Sequence, residues 1–275
     1  MAVTFACYVG RRSLSPRLLV GFMALEGLIF FPDPHVPAPP PPGVEDRRFT
    51  TTDGIRLHAW WAPPPPSGPA LIWSHGNAGN IAGRAAVLGA LTERGLGVFA
   101  YDYRGYGRST GHPTEMGVYR DAEAAYDTVR AEGIPASRLV CLGESLGAAV
   151  SVYLATQRPC AGLVLVAPFT RLRDVAWAHY GPLGLLVGNR FDTLTRIAKL
   201  RAPVMIAHGD QDEVVPFPLG ERLFAAALEP KHFVRVPRAH HNDVLDDPEL
   251  LDTIATFARA ATAASPGSGP PEERE

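Results

Sequence analysis

The sequence predicts an α/β domain built on a mostly parallel eight-stranded sheet that helices cover on both faces. Short runs rich in β-branched and aromatic residues alternate with longer amphipathic segments, as parallel strands joined by crossover helices require. Most of the short runs are apolar throughout, which is typical of strands buried between two helical layers. Of the 275 residues, 46% are apolar and 20% charged, a composition that suits one large globular domain.

The strand signals follow one another in a regular order. Asp53-Gly54 is a strong turn signal between the first two runs, so we expect the sheet to open with an antiparallel hairpin. The later runs alternate with helical patterns and are expected to be parallel. The predicted strands are Phe49–Thr52, Ile55–Trp61, Ala70–Ser74, Gly97–Tyr101, Leu139–Gly143, Gly162–Val166, Pro203–His208 and His232–Val236.

Helices are predicted where apolar residues recur at three- and four-residue spacing. Residues 169–200, after the sixth strand, are longer than a simple crossover and contain Trp177 and Tyr180. We expect this insertion to form a small lid over the carboxyl ends of the strands. The predicted helices are Ala82–Arg94, Glu115–Glu132, Leu146–Gln157, Pro218–Leu228 and Pro248–Ala261.

The two ends of the chain differ from this domain, which is expected to span residues 45–263. Residues 1–36 predict an apolar helix, but charged residues and a proline leave its clean stretch shorter than the roughly 20 residues that a membrane span needs. A membrane anchor and a packed helix are both open interpretations. Residues 37–44 are proline-rich and predict a stiff linker, and residues 264–275 predict a disordered tail.

Charge and cysteine content exclude several classes of function. The net charge of -2 provides no field that attracts a phosphate backbone, so nucleic acid is not an expected partner. The three cysteines have no C-x-x-C spacing, which fits neither a disulfide framework nor a zinc site. We expect a reducing, cytoplasmic location, with membrane association through the N-terminal segment left open, and no metal or cofactor.

Gly143-Glu-Ser-Leu-Gly147 lies between a predicted strand and a predicted helix, the context of a nucleophile elbow. A serine on such a tight turn needs small neighbours, because the adjoining strand and helix press against both flanking positions. Ser145 is therefore the candidate nucleophile. The N–H of Leu146, at the start of the following helix, is a candidate oxyanion donor.

A serine hydroxyl needs a base to take its proton and an acid to orient that base. Candidates for both follow later strands, in the chain order serine, acid, histidine. The acid is Asp210 or Asp212, and the base is His240 or His241, since spacing alone does not choose between them. Asn77 follows the strand that ends at Ser74, where its backbone N–H is a candidate second oxyanion donor.

Five motifs in this order make the chain resemble the α/β-hydrolase superfamily from about residue 45 to residue 262. The forms are similar to a branch that includes membrane-anchored lipases and acyl-protein thioesterases of the α/β-hydrolase-domain kind. The motifs are His75-Gly-Asn-Ala-Gly79 with Asn80, Tyr101-Asp-Tyr-Arg-Gly-Tyr-Gly-Arg-Ser109, Gly143-Glu-Ser-Leu-Gly147, His208-Gly-Asp-Gln-Asp212 and His241-Asn-Asp243.

The resemblance implies the α/β-hydrolase fold and a choice between the open candidates. In the family pattern the acid lies two residues before Val-Val-Pro and the base lies directly before Asn-Asp. Those positions are Asp212 and His241. One departure is Ala239-His240, because relatives usually have glycine before the catalytic histidine.

We therefore expect a serine hydrolase that cleaves an acyl ester or thioester, with a small or lipid-like acyl substrate. The same triad also cleaves peptides, so a short-peptide hydrolase is the second interpretation. A membrane-tethered binding protein on an inactive hydrolase scaffold is the alternative from a different class, and the intact triad argues against it. The role of Glu144, beside the nucleophile, is left open.

Overall fold

The computed structural model describes residues 29–36 and 39–264. Its large sheet has eight strands: β2 (Glu45–Thr50), β3 (Arg56–Ala62), β4 (Ala70–Ser74), β6 (Gly97–Tyr101), β7 (Leu139–Glu144), β8 (Gly162–Val166), β9 (Val204–Gly209) and β10 (Lys231–Val236). Two short strands, β1 (Phe31–Pro32) and β5 (Ala78–Gly79), form a separate parallel pair. The strand order of the large sheet is β10-β9-β8-β7-β4-β6-β3-β2. The pairs β2–β3 and β3–β6 are antiparallel, and the other five pairs are parallel.

Seven α-helices lie in the described part of the chain, and the five predicted ones are among them. Short 3-10 turns precede or follow several of them, as at Ile81–Arg84 and Gly181–Val187. The helices are α1 (Ala85–Glu93), α2 (Glu115–Ala131), α3 (Leu146–Gln157), α4 (Leu172–Tyr180), α5 (Thr193–Ile197), α6 (Phe217–Ala226) and α7 (Pro248–Ala264).

The large sheet is buried on both faces, and its side chains alternate between two hydrophobic clusters. On β4, Ile72 belongs to the first cluster, whereas Leu71 and Trp73 belong to the second. On β7, Cys141 and Leu142 divide in the same way. Helices α2, α3, α5 and α6 contribute to the first cluster, and α1 and α7 to the second. The prediction of a sheet covered on both faces is therefore confirmed.

The opening hairpin has a longer loop than the predicted turn at Asp53-Gly54. β2 ends at Thr50 and β3 begins at Arg56, rather than at Thr52 and Ile55. The reason is local hydrogen bonding, because the Thr51 hydroxyl donates to Asp53 Oδ1 and accepts the N–H of Ile55 at 2.9 Å. These bonds close a loop of five residues in place of a two-residue turn.

The folded part of the chain begins before residue 45, where the sequence predicts the start of the domain. Ile29 and Phe30 are buried in the first hydrophobic cluster, and β1 pairs with β5. Residues 29–36 therefore belong to the folded domain and are not helical, because their apolar side chains and backbone find partners on it. The rest of the predicted N-terminal helix, at residues 1–28, lies outside the described residues.

The C-terminal boundary also moves slightly. Helix α7 extends to Ala264, one residue beyond the predicted domain, and the remainder of the predicted tail lies outside the described residues. Within residues 39–44 of the predicted linker, the N–H of Val44 donates to Pro41 O at 3.0 Å, which closes a turn before β2. Among residues 29–36 and 39–264, no helix is both long and apolar enough to cross a membrane.

The insertion after β8, the sixth strand of the large sheet, contains α4, the 3-10 turn Gly181–Val187 and α5. Gly184 lies against α4 so closely that an added Cβ would collide with the backbone of Trp177. His179 of the insertion contacts the loop that follows β9, because its ring nitrogen Nε2 lies 2.8 Å from Val214 O. The insertion thus lies beside this loop, at the carboxyl ends of the parallel strands.

Candidate active site

Ser145 occupies a tight turn between β7 and α3. Its φ of 52° and ψ of -112° lie in a region that residues with a side chain rarely adopt, at a cost of about 1–3 kcal/mol. Its own N–H donates to Val166 O at 2.8 Å. A Cβ at Gly143 would collide with the backbone of Gly147, and one at Gly147 with the carbonyl of Ser74. Both glycines are therefore required by close backbone contact.

Three loops at the carboxyl ends of parallel strands bring Ser145, Asp212 and His241 together. His241 Nε2 lies 3.0 Å from Ser145 Oγ, and His241 Nδ1 lies 2.8 Å from Asp212 Oδ2. The residues come from the turn after β7, the loop after β9 and the loop after β10. Because these strands are parallel, their carboxyl ends lie at the same edge of the sheet.

Asp212 is buried and accepts four hydrogen bonds. Oδ1 accepts the N–H groups of Val214 and Val215 at 2.9 and 2.7 Å. Oδ2 lies 2.8 Å from His241 Nδ1 and 3.2 Å from His208 Nε2. Burial acts to raise the pKa of Asp212, but the hydrogen bonds from His208 and His241 outweigh it and hold this pKa well below its ordinary value. Asp212 is therefore an ionised acceptor.

The alternative candidates point elsewhere. Asp210 accepts from Arg235 Nε at 3.0 Å and from the N–H of Arg238 at 2.6 Å. The side chain of His240 is 54% exposed, and its Nδ1 lies 2.9 Å from Glu213 Oε2. Spacing could not distinguish these residues from Asp212 and His241, which lie only one or two positions away in the same loops.

The substitution of Ala239 for the usual glycine is accommodated by its neighbour. Arg238 takes the left-handed conformation in this turn, with a φ of 61°. Ala239 O then accepts the N–H of Gln211 at 3.0 Å. Position 239 therefore does not need the conformational freedom of glycine.

The candidate oxyanion donors Asn77 and Leu146 line the same cavity as Ser145 and His241. The side chain of Asn77 is held by other groups, since Nδ2 donates to Ile29 O at 2.6 Å and Oδ1 accepts from the Tyr106 hydroxyl at 2.9 Å. These bonds fix the loop in place.

Residues 75–80 form this loop, which we call the oxyanion loop, and it rests on buried groups. The Tyr103 hydroxyl donates to His75 O at 2.8 Å. Asp102 Oδ1 accepts the N–H of Ile81 at 2.9 Å, directly after the loop. Burial, assisted by the charge of Arg84, lowers the pKa of His75 to about 4, so its ring is neutral near pH 7.

Sequence reasoning missed three of the groups that surround the site: Arg84, Asp102 and His208. Asp102 and His208 lie within the motifs that carry the family resemblance, and this position was the only signal for them. Arg84 had no signal, because the acid with which it pairs is 60 residues away along the chain.

The cavity at Ser145 has a volume of about 670 Å³. The lining includes three ionic side chains: Arg84, Asp246 and Glu144, which directly precedes Ser145 in the chain. The apolar lining of the cavity comes from β1, the insertion and the loops after β9 and β10. It includes Phe31, Phe169, Leu172, Val175, Val214 and Val215. The cavity thus joins a polar reacting end to an apolar wall.

Comparisons with known proteins agree with this geometry. A family profile described as serine aminopeptidase, S33, matches residues 66–194. An uncharacterized protein of Mycobacterium tuberculosis is 44% identical over 241 residues, which cover 84% of this chain and 85% of the relative. The alpha/beta hydrolase domain-containing protein WAV2 of Arabidopsis thaliana is 35% identical over 224 residues, 72% of each chain. The chain belongs to the α/β-hydrolase superfamily.

Solved structures show the fold of this α/β hydrolase independently. An esterase of Pyrococcus furiosus superimposes with a TM-score of 0.70 at 18% identity, and the match covers 84% of this chain and 98% of the esterase. The esterase Est1E of Butyrivibrio proteoclasticus, solved with ferulic acid, superimposes with a TM-score of 0.65 at 20% identity, covering 78% and 99%. The predicted family and fold class are confirmed, and the protein is a hydrolase of this superfamily.

Proposed function

We propose that this α/β hydrolase cleaves an acyl ester or thioester through an acyl-enzyme. Ser145 is the nucleophile, His241 the general base and Asp212 the acid that orients it. The observation that carries the proposal is the continuous relay from Ser145 Oγ to His241 Nε2 at 3.0 Å and from His241 Nδ1 to Asp212 Oδ2 at 2.8 Å. Both distances are those of hydrogen bonds suited to proton transfer.

The ionised state of Asp212 sets the protonation of the relay. A carboxylate only accepts hydrogen bonds, so Nδ1 of His241 carries the ring proton and Nε2 is free to take the proton of Ser145. The alkoxide attacks the acyl carbonyl, and the N–H groups of Leu146 and Asn77 stabilise the oxyanion. Protonated His241 returns the proton to the leaving group. Water then hydrolyses the acyl-enzyme by the same route.

The apolar lining of the cavity supports binding of an apolar acyl group. Leu172 and Val175 of the insertion and Phe31 of β1 line it together with Ser145. Apolar walls next to a few placed polar groups are typical of small-molecule sites, and they bind an acyl chain by removing it from water. We propose a small or lipid-like acyl substrate for this reason.

A short-peptide hydrolase is the second candidate, because the matching family profile is described as a serine aminopeptidase. Binding of a free α-ammonium group requires an unpaired carboxylate close to the nucleophile. Glu144 is adjacent to Ser145 but is already paired with Arg84 at 3.0 Å, and Asp246 is exposed. These contacts favour the ester or thioester over the peptide.

Labelling by a fluorophosphonate probe tests the nucleophile and the base. The wild-type protein should be labelled and Ser145→Ala should not. His241→Ala should abolish turnover of p-nitrophenyl butyrate, whereas the matched variant His240→Ala should keep most of it, because His240 contacts Glu213 and not the serine. Equal labelling of Ser145→Ala would refute the nucleophile. An unlabelled, inert wild-type protein would favour the binding-protein alternative.

Rates on a series of substrates test the acyl class. Esters and thioesters of increasing chain length should be cleaved faster than aminoacyl amides of similar size. Preferred cleavage of the amides would support the peptide hydrolase instead.

We also propose that the protein associates with a membrane surface. The insertion, which lines the cavity through Leu172 and Val175, exposes three further apolar side chains: Tyr180, Leu183 and Leu186 are 70%, 68% and 75% exposed. Phe31, 59% exposed, lines that cavity and continues the chain from residues 1–28, whose sequence is mostly apolar after Arg17. Exposed apolar patches of this kind are typical of interaction surfaces.

Sedimentation of the full chain with phospholipid vesicles tests this association. The double variant Leu183→Gln/Leu186→Gln should bind vesicles about tenfold more weakly, since each leucine contributes apolar area. Leu228→Gln is the matched control, because Leu228 is 42% exposed but lies between α6 and β10, outside the insertion. Equal binding by all three proteins would contradict a role of the insertion.

A further inference from the structure

A largely buried ion pair lies in the wall of the cavity, directly beside Ser145. Glu144 precedes Ser145 in the chain, and Arg84 closes the 3-10 turn that follows the oxyanion loop. The guanidinium donates twice to the carboxylate, from Nε to Oε2 at 3.2 Å and from Nη2 to Oε1 at 3.0 Å. The two side chains are only 16% and 17% exposed, so solvent does not replace this contact.

The same guanidinium also holds the oxyanion loop. Nη1 of Arg84 donates to Ala78 O at 3.0 Å and to Asn80 O at 3.1 Å. Asn77, whose N–H is the proposed oxyanion donor, lies directly before Ala78. Arg84 therefore connects the loop that carries one donor to the turn that carries the nucleophile and the other donor.

The loop approaches the ion pair closely at its two glycines, Gly76 and Gly79. A Cβ at Gly76 would lie 2.8 Å from Glu144 Oε1 and 3.2 Å from Arg84 Nη2, and a Cβ at Gly79 would lie 3.3 Å from Arg84 Nη1. The glycines of the His-Gly-Asn-Ala-Gly motif thus admit the ion pair.

The charges of the pair matter because the reaction develops negative charge nearby. Burial alone would raise the pKa of Glu144, but the charge of Arg84 and hydrogen bonds from Arg84 and from the backbone of Gly76 lower it. Glu144 is therefore ionised. A lone carboxylate next to Ser145 would repel the oxyanion, and this repulsion would be strong in a cavity shielded from water.

We propose that Arg84 is a positioning residue of the oxyanion site, which holds the oxyanion loop against the nucleophile turn and cancels the charge of Glu144. This inference rests on the proposed acyl-transfer function. It predicts unequal effects of the two partners, because loss of Arg84 leaves an uncompensated negative charge, whereas loss of the charge on Glu144 leaves a positive one that does not oppose the oxyanion.

Three variants of the full chain test the proposal: Arg84→Gln, Glu144→Gln and the double variant. With p-nitrophenyl butyrate, Arg84→Gln should lower kcat about 100-fold and change KM less than about threefold, since loss of one oxyanion contact costs about 10²–10³ in kcat. Glu144→Gln should lower kcat less than about fivefold. The double variant should be about tenfold faster than Arg84→Gln, because the repelling charge is gone.

A second ion pair provides the control for general destabilisation. Arg94 Nε donates to Asp252 Oδ1 at 2.7 Å, and its other nitrogens donate to Ala90 O and Pro248 O at 2.9 and 3.3 Å. Like Arg84, it joins a carboxylate to two backbone carbonyls, although by one bond to the carboxylate rather than two, and it contacts α1 and α7, on the other side of the sheet from α3. Arg94→Gln should lower the unfolding midpoint and leave kcat unchanged.

Two results would overturn the proposal. Equal losses in Arg84→Gln and Glu144→Gln, with no recovery in the double variant, would indicate a merely structural pair. Wild-type kcat in all three variants would show that the pair does not act on the reaction. If the wild-type protein has no turnover that depends on Ser145, the proposed function itself fails and the inference fails with it, which the Ser145→Ala control distinguishes.

Discussion

Replacement of Asp212 by asparagine exchanges one carboxylate oxygen of the proposed relay for an NH₂ group and leaves the side-chain volume almost unchanged. The carboxylate faces donors on both sides, with two backbone N–H groups at Oδ1 and two histidine nitrogens at Oδ2. An asparagine whose oxygen keeps the backbone bonds turns its NH₂ group toward His241 and His208. His241 must then accept at Nδ1 and carry its proton at Nε2, where it can no longer take the proton of Ser145.

The size of the expected effect follows from this reversal. A histidine held in the wrong tautomer lowers kcat by about 10⁴ in a serine–histidine–aspartate relay. KM should change little, because Asp212 does not appear among the residues that line the cavity. The free energy of unfolding should fall by only about 1–3 kcal/mol, since His208 Nε2 keeps its contact with Val215 O at 2.9 Å.

Steady-state hydrolysis of p-nitrophenyl butyrate, with urea unfolding of the same preparations, measures both effects. Asp210→Asn is the matched control, because Asp210 contacts Arg235 and Arg238 at the surface, and its kcat should stay within about twofold of wild type. Retention of more than a tenth of wild-type kcat by Asp212→Asn would refute the assigned role. A loss of activity that merely follows a loss of folded protein would refute the reasoning on the tautomer.

Two predictions concern stability. Gly147→Ala should lower the free energy of unfolding by about 3 kcal/mol, because the added methyl group would collide with Ser74 O and lie 2.6 Å from His75 O. Gly89→Ala in α1, where an added methyl group has nothing within 4 Å, should raise the free energy of unfolding by up to about 1 kcal/mol. Urea midpoints of the two variants that move in the same direction would contradict this prediction. Burial and the charge of Arg84 lower the pKa of His75 from 6.5 to about 4. Between pH 6.5 and pH 4 the unfolded chain therefore binds a proton at His75 that the folded chain does not. Stability should therefore fall, by up to about 3 kcal/mol, as the pH is lowered from 6.5 to 4, and His75→Phe should flatten this slope in thermal unfolding at stepped pH; an unchanged slope would show that another group titrates.

Most of the fold could be predicted because the signals are local and repeated. Each central strand, such as β4 or β7, is short and apolar on both faces, since helices bury both sides of the sheet. The hairpin loop and the start of the domain were harder to predict. The first depends on one hydroxyl, Thr51 Oγ1, and the second on Ile29 and Phe30 meeting a surface formed by distant residues.

The candidate site also contains residues that could be predicted from the sequence and residues that could not. The elbow was recognisable because a strained serine turn needs small residues at 143 and 147 regardless of what else surrounds it. His208 was not recognised, because its contact with Asp212 arises only when the loop after β9 folds back on its strand. The ion pair of Arg84 and Glu144 joins residues on two separate loops, and no local pattern marks such a pair.

By itself, the sequence determined the α/β architecture, the nucleophile turn and the order of serine, acid and histidine, because each depends on residues that are close together in the chain. Spacing left open which aspartate and which histidine approach Ser145; the family resemblance indicated Asp212 and His241, and only the tertiary structure gives their contacts and those of Glu144. The physical reason is that Asp210 and Asp212, or His240 and His241, differ only in the direction of their side chains. That direction is set by partners such as Arg235 and His208, which are brought near by the packing of the whole sheet.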